Sequence, residues 1–491
     1  MCAKIAVIGG GFAGLSAASY LQKMGHQVTI FEKNEQIGGR ARKFEEQGFV
    51  FDMGPSWYWM PDVFENYFKD FGYKVSDFFE LVQLDPGFDV VFSKQDCFSV
   101  DADFEKIKDK FEQLEKGSGA KLEKFINEAD RKYQVSMNDI VFKPSYSLFE
   151  YINWKIIKNV LAVDFFIPLR SSLKKYFTHA NILKIMEFPV LFLGAMADKI
   201  PALYSIMNYA ALKQGTFYPL GGMHKIVEAM EKVAVKLGVE IQLHAEVQKI
   251  IVEGGKAKGI VVNQNTLEFD GVVAAADYEF VERKLLEKPY QNYNLEYWDK
   301  KVFAPSSLLF YIGVSKKINK LNHHTLFFDT DFELHSKEIY HNPKWPSEPL
   351  FYACTPSVTD VSVAPENCEN LFLLIPIATG LEDNEALREM YFDKVMARLE
   401  DYCEMDIRSH IIYKRSYCKN DFILDYNSFK GNAYGLANTL LQTGPLKPTL
   451  KNKKVSNLYY CGQLTVPGPG VPPSLISGKI VAAEISKNLP L

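Results

Sequence analysis

Three glycines, Gly9, Gly11 and Gly14, stand in the spacing G-x-G-x-x-G between the apolar run Ile5–Ile8 and the helix-forming run Leu15–Met24. Eighteen residues after Gly14, the run HQVTIFE ends in Glu32. Strand, glycine turn, helix, strand and acid in this order suit one task, holding a dinucleotide. Gly9 permits the tight turn, Gly11 lets backbone approach a pyrophosphate, and Gly14 lets the helix pack on the sheet. Phe12 and Ala13 open the helix whose free N–H groups face the phosphates. Glu32, followed by Lys33, can accept hydrogen bonds from a ribose diol and disfavours a 2′-phosphate.

A second set of residues follows. Gly38-Gly39-Arg40 combines close backbone approach with a guanidinium able to grip phosphate in a fork. Asp52 and Trp57 flank Gly54, Pro55 and Ser56 in the segment FDMGPSW. A carboxylate or an aromatic face there could stabilise a nearby cation; the alternatives are a turn cap for Asp52 and core packing for Trp57. Near the other end, LTVPGPGVPPSLISGKIVA aims a stiff Pro/Gly loop into a helix expected to begin near Pro473. The positive end of that helix could favour an anion. No metal site is expected. The nine histidines form no H-E-x-x-H, and adjacent His323-His324 should point apart on either regular element.

The elements needed to position these residues are legible along the chain. Its 491 residues are 47% hydrophobic and 24% charged, the composition of a folded protein with ample core. A balance of 56 basic against 60 acidic side chains argues against nucleic-acid binding. Seven cysteines with no C-x-x-C pair read as reduced, buried thiols of a cytoplasmic protein. No apolar run of about 18 residues could span a bilayer. A glycine turn, an amphipathic helix and strands at Val239–Leu243, Val247–Val252 and Gly259–Val262 recur after residue 215, with another strand in DGVVAAADY. Residues 101–214 have a helical pattern, and 291–447 a strand pattern with one helix. Within Tyr151–Ile185, Lys155, Lys158, Arg170, Lys174, Lys175 and Lys184 interleave with Trp154, Phe165, Phe166, Ile167, Leu169, Tyr176 and Phe177 against a single acid, Asp164. That composition suits a helix lying in a membrane interface, or else a core helix pair with a solvated basic face.

GGRARKFEEQGFVFDMGPS, YPLGGM and LYYCGQLTVPGPGVPPSLISGK together resemble the FAD-dependent amine oxidase-like superfamily, and within it the bacterial-type phytoene desaturases. The resemblance covers essentially the whole length. It implies an α/β fold: a Rossmann-type FAD-binding domain assembled from residues 1–100, 215–290 and 448–491. A helical, membrane-facing region (101–214) and a mixed-sheet substrate domain (291–447) would be inserted. It also implies that Val247 contacts the adenine through its backbone, and that Gly462, Gln463 and Val471 lie at the flavin. The tail departs from the commonest pattern at Gln463 and Pro473, which weakens any choice among carotene desaturases, isomerases and ketolases.

The implied reaction is FAD-dependent desaturation of a carotene such as phytoene, by hydride transfer to the flavin and proton loss. The rivals are an FAD amine oxidase and a non-enzymatic prenyl-lipid chaperone of related fold. No second nicotinamide-type turn is found, so the expected electron acceptor is oxygen or a quinone. The expected partners are a hydrophobic polyene and a membrane surface, with the protein cytoplasmic and peripherally membrane-associated.

Overall fold

The structure, a computed structural model, describes residues 2–151, 167–191 and 194–489. Its first sheet has five parallel strands in the order Leu458–Tyr460, Gly271–Ala274, Lys4–Ile8, Gln27–Phe31, Glu240–Gln242. Lys4–Ile8 is central, paired on both edges, and Ile5–Ile8 are buried. A strand covered on both faces needs apolar side chains on both, which explains the unbroken run of its sequence.

The helix Phe12–Lys23 lies against this sheet and is buried along ten consecutive residues, Phe12–Leu21. Such all-round burial needs a cover on its outer side, and the C-terminal helix Val471–Asn488 supplies it. Ser16 Oγ donates to the Leu475 carbonyl at 2.7 Å. A Cβ on Gly478 would stand 2.5 Å from the Ala13 carbonyl oxygen, so the two helices cross at glycine distance. The tail thus closes the molecule from its two ends.

A second, seven-stranded sheet runs Ile411–Tyr417, Ser306–Val314, Glu369–Ile377, Phe351–Cys354, His324–Phe327, Phe88–Ser93, Asp96–Val100. Strict alternation divides its side chains. Leu308, Phe310 and Ile312 pack under the helix Glu385–Cys403, where Phe310 meets Phe392 at 5.1 Å. Leu309 and Tyr311 face the other way, toward the first sheet.

Three expectations meet differences here. The strands Phe88–Ser93 and Asp96–Val100, expected with the first domain's stretch 1–100, pair into the second sheet through a parallel contact with His324–Phe327. The C-terminal helix starts at Val471, so Pro472 and Pro473 lie inside its first turn and bring no N–H there. Of the seven cysteines, Cys2 and Cys97 are exposed.

Residues 101–214 are helical where described, with Phe104–Leu114, Ser118–Val135 and Ala180–Leu191 the longest pieces. Of the basic and aromatic segment, Trp154, Lys155, Lys158, Asp164, Phe165 and Phe166 lie outside the described residues. In its remainder, Leu169 and Phe177 are buried, and the Tyr176 hydroxyl donates to Glu128 at 2.8 Å. Arg170 grips Glu187 with two hydrogen bonds of 2.6 and 2.5 Å. This part packs as core with a charged outer face, on which Lys174 and Lys175 are exposed. Among the described residues no helix is long and apolar enough to cross a membrane.

Candidate active site

A cavity of about 370 Å³, partly open to solvent, lies between the two sheets. Its lower wall is the glycine turn: Gly9, Gly11, Phe12 and Ala13, with Glu32, Lys33, Gly39 and Arg40 beside it. Val247 closes one end, and Gly462, Gln463 and Val471 line the opposite side with Gly54, Pro55 and Ser56. The three glycines of the turn do different work. Gly9 has φ +103°, a conformation that L side chains rarely adopt. A Cβ on Gly14 would stand 2.0 Å from the Gly9 carbonyl oxygen, so this glycine packs helix on strand and does not line the cavity. Gly11 has φ −77°, and the nearest atom to its missing Cβ is the Gly39 Cα at 4.0 Å. Its empty side faces open space.

Polar groups at this end are held ready. Glu32 Oε2 accepts from the Gly10 amide at 2.8 Å, and Oε1 accepts from the Asn34 amide at 3.0 Å. That fixes the carboxylate at the end of its strand with lone pairs to spare. Arg40 donates to Ser428 Oγ (2.5 Å) and the Asn432 carbonyl (3.2 Å), and its guanidinium lies 5.1 Å from the Tyr426 ring centre. In the orientation that satisfies both ends of its amide, Gln463 accepts from Arg40 at 2.9 Å and donates to the Tyr434 carbonyl. Arg40 Nε is buried with no partner, and among the described residues this arginine forms no ion pair. Burial lowers its pKa from the usual value, with Asp277 opposing. A buried cation with an orphan donor fits a phosphate-bearing group, which supplies both the charge and the acceptor.

The upper wall is apolar. Trp57, Trp59 and Met60 rise from the segment after Ser56, and Leu309, Leu374 and Tyr352 descend from the second sheet. The last three are register partners on neighbouring strands, Leu309 opposite Leu374 and Leu374 opposite Tyr352, so they form one continuous row. Sequence reading did not single out these three. The alternation of SSLLFYIGV separates the two faces of the strand, but does not say which one looks onto the cavity.

Trp57 lines this upper half and stacks on His324, ring centres 4.0 Å apart and 15° from parallel. Asp52 is placed otherwise. Its Oδ2 accepts from the Met223 amide (2.7 Å) and its Oδ1 from the His224 amide (2.9 Å) and His224 Nδ1 (3.0 Å). The carboxylate caps the helix His224–Leu237 and does not line the main cavity. Asp52→Ala should therefore lower folding stability by about 1–2 kcal/mol, as loss of a cap does, while leaving flavin content unchanged. Denaturant unfolding checks it; lost turnover at full stability would return Asp52 to the chemistry.

His323 and His324 do not diverge as expected. The strand begins at His324, His323 sits in the bend before it, and the ring centres lie 4.5 Å apart. Alternation holds only within a strand, so the bend lets the rings converge. A ring nitrogen of each and the Cys354 thiol come within 4.8 Å of one another.

Comparison with known proteins agrees with this geometry. Residues 12–486 match the family described as flavin containing amine oxidoreductase. A carotenoid 3,4-desaturase of Haloarcula japonica is 39% identical over 489 residues, covering 99% of this chain and 98% of that protein. A 4,4'-diapophytoene desaturase (4,4'-diaponeurosporene-forming) of Staphylococcus haemolyticus is 32% identical, covering 99% of both. A solved putrescine oxidase, wild type bound to putrescine, superposes with a TM-score of 0.63 at 13% identity, covering 99% of both chains, which speaks to the fold alone. The chain belongs to the flavin-containing amine oxidoreductase family and is an FAD-dependent oxidoreductase.

Proposed function

We propose that this protein desaturates an acyclic carotenoid, converting a CH–CH bond of the polyene into CH=CH. The observation that carries this reading is the two-part cavity: a polar dinucleotide cradle that continues into a wall of Trp57, Trp59, Leu309, Leu374 and Tyr352. The full-length similarity to carotenoid and diapophytoene desaturases supports it. FAD, when bound, supplies the acceptor for the hydride. It would be held by the glycine turn, Glu32, Arg40, Val247 and the segment Gly462–Val471, drawn from the stretches 1–87, 215–290 and 448–491. The apolar wall then orients a substrate that has no polar handle, and excludes water from the reacting carbons.

The substrate dissolves in lipid, and the reading therefore includes docking on a membrane surface. Phe149, 80% exposed, and the exposed Phe142 and Tyr146 precede the undescribed stretch 152–166, and Lys174 and Lys175 follow it. Reversing both charges, Lys174→Glu with Lys175→Glu, should weaken co-sedimentation with anionic vesicles, most at low salt. Unchanged sedimentation would remove these lysines from any docking face.

The reduced cofactor is expected to return its electrons to oxygen or a membrane quinone. The deciding experiment mixes the holoenzyme with carotenoid-loaded vesicles, anaerobically, with and without quinone, and then with NAD alone. Red-shifted polyene absorption with quinone or air supports the reading. Product with NAD as sole acceptor refutes the acceptor assignment, and absence of product in every arm refutes the function.

A further inference from the structure

Each desaturation leaves one proton in a site walled by hydrocarbon and indole, and among the described residues the carboxylates that line the cavity, Glu32, Glu246, Asp277 and Asp425, stand with the cradle, beside Val247, Arg40 and Arg42. One chain of polar side chains does lead away from that site. Ser56 lines the cavity, and its Oγ is 3.0 Å from the Tyr352 hydroxyl. That hydroxyl is 2.6 Å from His324 Nδ1. The His324 ring lies 4.5 Å from the His323 ring, and His323 Nδ1 is 2.8 Å from the hydroxyl of Thr359, which is exposed. Both Nε2 atoms are buried without a partner. A small cavity lined by Ser56, His323 and Cys354 runs alongside, with room for one water.

Two adjacent buried histidines, each with one nitrogen engaged and one orphaned, are costly for a fold that needs only packing. We propose that Ser56, Tyr352, His324, His323 and Thr359 form a proton wire that carries the proton released by desaturation from the cavity to solvent. The proposal rests on the function argued above. One C–H bond of the substrate gives its hydrogen with both electrons to FAD. The neighbouring C–H bond leaves its electron pair as the new π bond, and its proton goes to Ser56 Oγ. The hydrogen that Ser56 already holds passes to Tyr352, and that of Tyr352 passes to His324 Nδ1. His324 gives up its Nε2 proton to His323 Nε2 through one bridging water, since no direct hydrogen bond joins the two rings, and His323 passes its Nδ1 proton by way of Thr359 to solvent. The hydrogen bonds then reverse, and no side chain keeps a net charge.

The surroundings suit a relay better than a store. Burial pushes His323 down to about 3 and His324, with His323 beside it, well below the ordinary histidine value. Both rings are then neutral over the working range and free to accept. A transient imidazolium at His324 would lie under the face of Trp57, 4.0 Å away. An allylic cation is a far stronger acid than an imidazolium, so even a weak base receives its proton downhill. Ser56 and Tyr352 both border the cavity, and of the two Ser56 takes the proton from the substrate; His324, His323 and Thr359 relay it.

Tyr352→Phe keeps the ring and removes the link. In the holoenzyme it should slow anaerobic bleaching of the flavin by carotenoid about 10²-fold, with flavin content unchanged and the solvent isotope effect altered. His323→Gln should slow it as well. Links in series fail together, so the double variant should be no slower than the slower single one. Wild-type bleaching by Tyr352→Phe, or multiplying losses in the double variant, would overturn the wire. A second readout needs no substrate: nitrogen-15 histidine spectra should show Tyr352→Phe moving the ring signals of both His324 and His323. If only His324 responds, the wire is broken at that point and the proposal fails. If no carotenoid bleaches the parent protein, the function itself fails, and the spectra still decide the wire.

Discussion

Gly11→Val should give a folded protein that purifies colourless. Of the three glycines in the turn, this one separates cofactor binding from folding. At Gly9 a side chain would meet a strained φ of +103°, and at Gly14 it would strike the Gly9 carbonyl at 2.0 Å, so substitutions there damage the fold itself. Gly11 sits at φ −77° and ψ −177°, extended backbone open to any residue, with 4.0 Å of clearance to the nearest atom. Its β-carbon would project into the cradle and not into the protein. Valine adds two methyls in the space a pyrophosphate must occupy, beside the Arg40 guanidinium. Overpacking of that kind costs about 3 kcal/mol, or ~10²-fold in affinity. The ratio of flavin to protein absorbance reads it, with circular dichroism to show that the fold survives. A yellow Gly11→Val protein would mean that the dinucleotide does not lie on this turn.

The features legible in the sequence were those whose cause is local. Ile5–Ile8 announces a strand buried on both faces because the side chains themselves must satisfy both faces. The glycine turn is legible because Gly9 and Gly14 answer steric demands of the neighbouring backbone, while Gly11 leaves room for a pyrophosphate. The row of strands from SSLLFYIGV to NLFLLIPIA is legible through apolar runs bounded by polar turns. What escaped depends on partners far along the chain. Phe88–Ser93 joins the second sheet by pairing with a strand more than two hundred residues away, and nothing in its own composition names that partner. Asp52 looks like a catalytic carboxylate beside Trp57 until the amides of Met223 and His224 are brought to it. His323 and His324 look divergent until a bend removes His323 from the strand.

The aromatic segment after Tyr151 shows the same limit from another side. Composition alone offers two accounts of basic residues interleaved with rings, a membrane-facing helix or a packed pair with a charged rim. Phe177 and Leu169 settle on the packed account for themselves, because their rings and branches fill the core beneath Lys174 and Lys175. The exposed Phe149 keeps the other account open for the chain just before it.

Leu374→Glu should sharply lower carotenoid turnover and leave the flavin in place. Leu374 lies in the middle of the row formed with Leu309 and Tyr352, its side chain only partly buried because it faces the cavity. It stands on a strand of the second sheet, whereas the polar cradle belongs to the first, so the substitution touches the proposed substrate wall alone. A glutamate there must either ionise beside leucine and tyrosine or remain protonated and bury a hydroxyl without a partner. Mutational data put an unpaired buried polar group at about 1–3 kcal/mol, and a hydrocarbon substrate offers nothing to reduce that. Substrate and side chain then compete for the same volume, the one needing dryness and the other water, and turnover should fall by up to ~10²-fold. Leu374→Met, similar in volume and apolar, should keep most of the activity, which separates polarity from shape. Yellow holoenzyme with sharply lowered turnover in Leu374→Glu and near-normal turnover in Leu374→Met is the expected pair. Full turnover by the glutamate variant would move the polyene off this wall, and with it the argument that the row of Leu309, Leu374 and Tyr352 exists to orient a substrate with no polar group of its own.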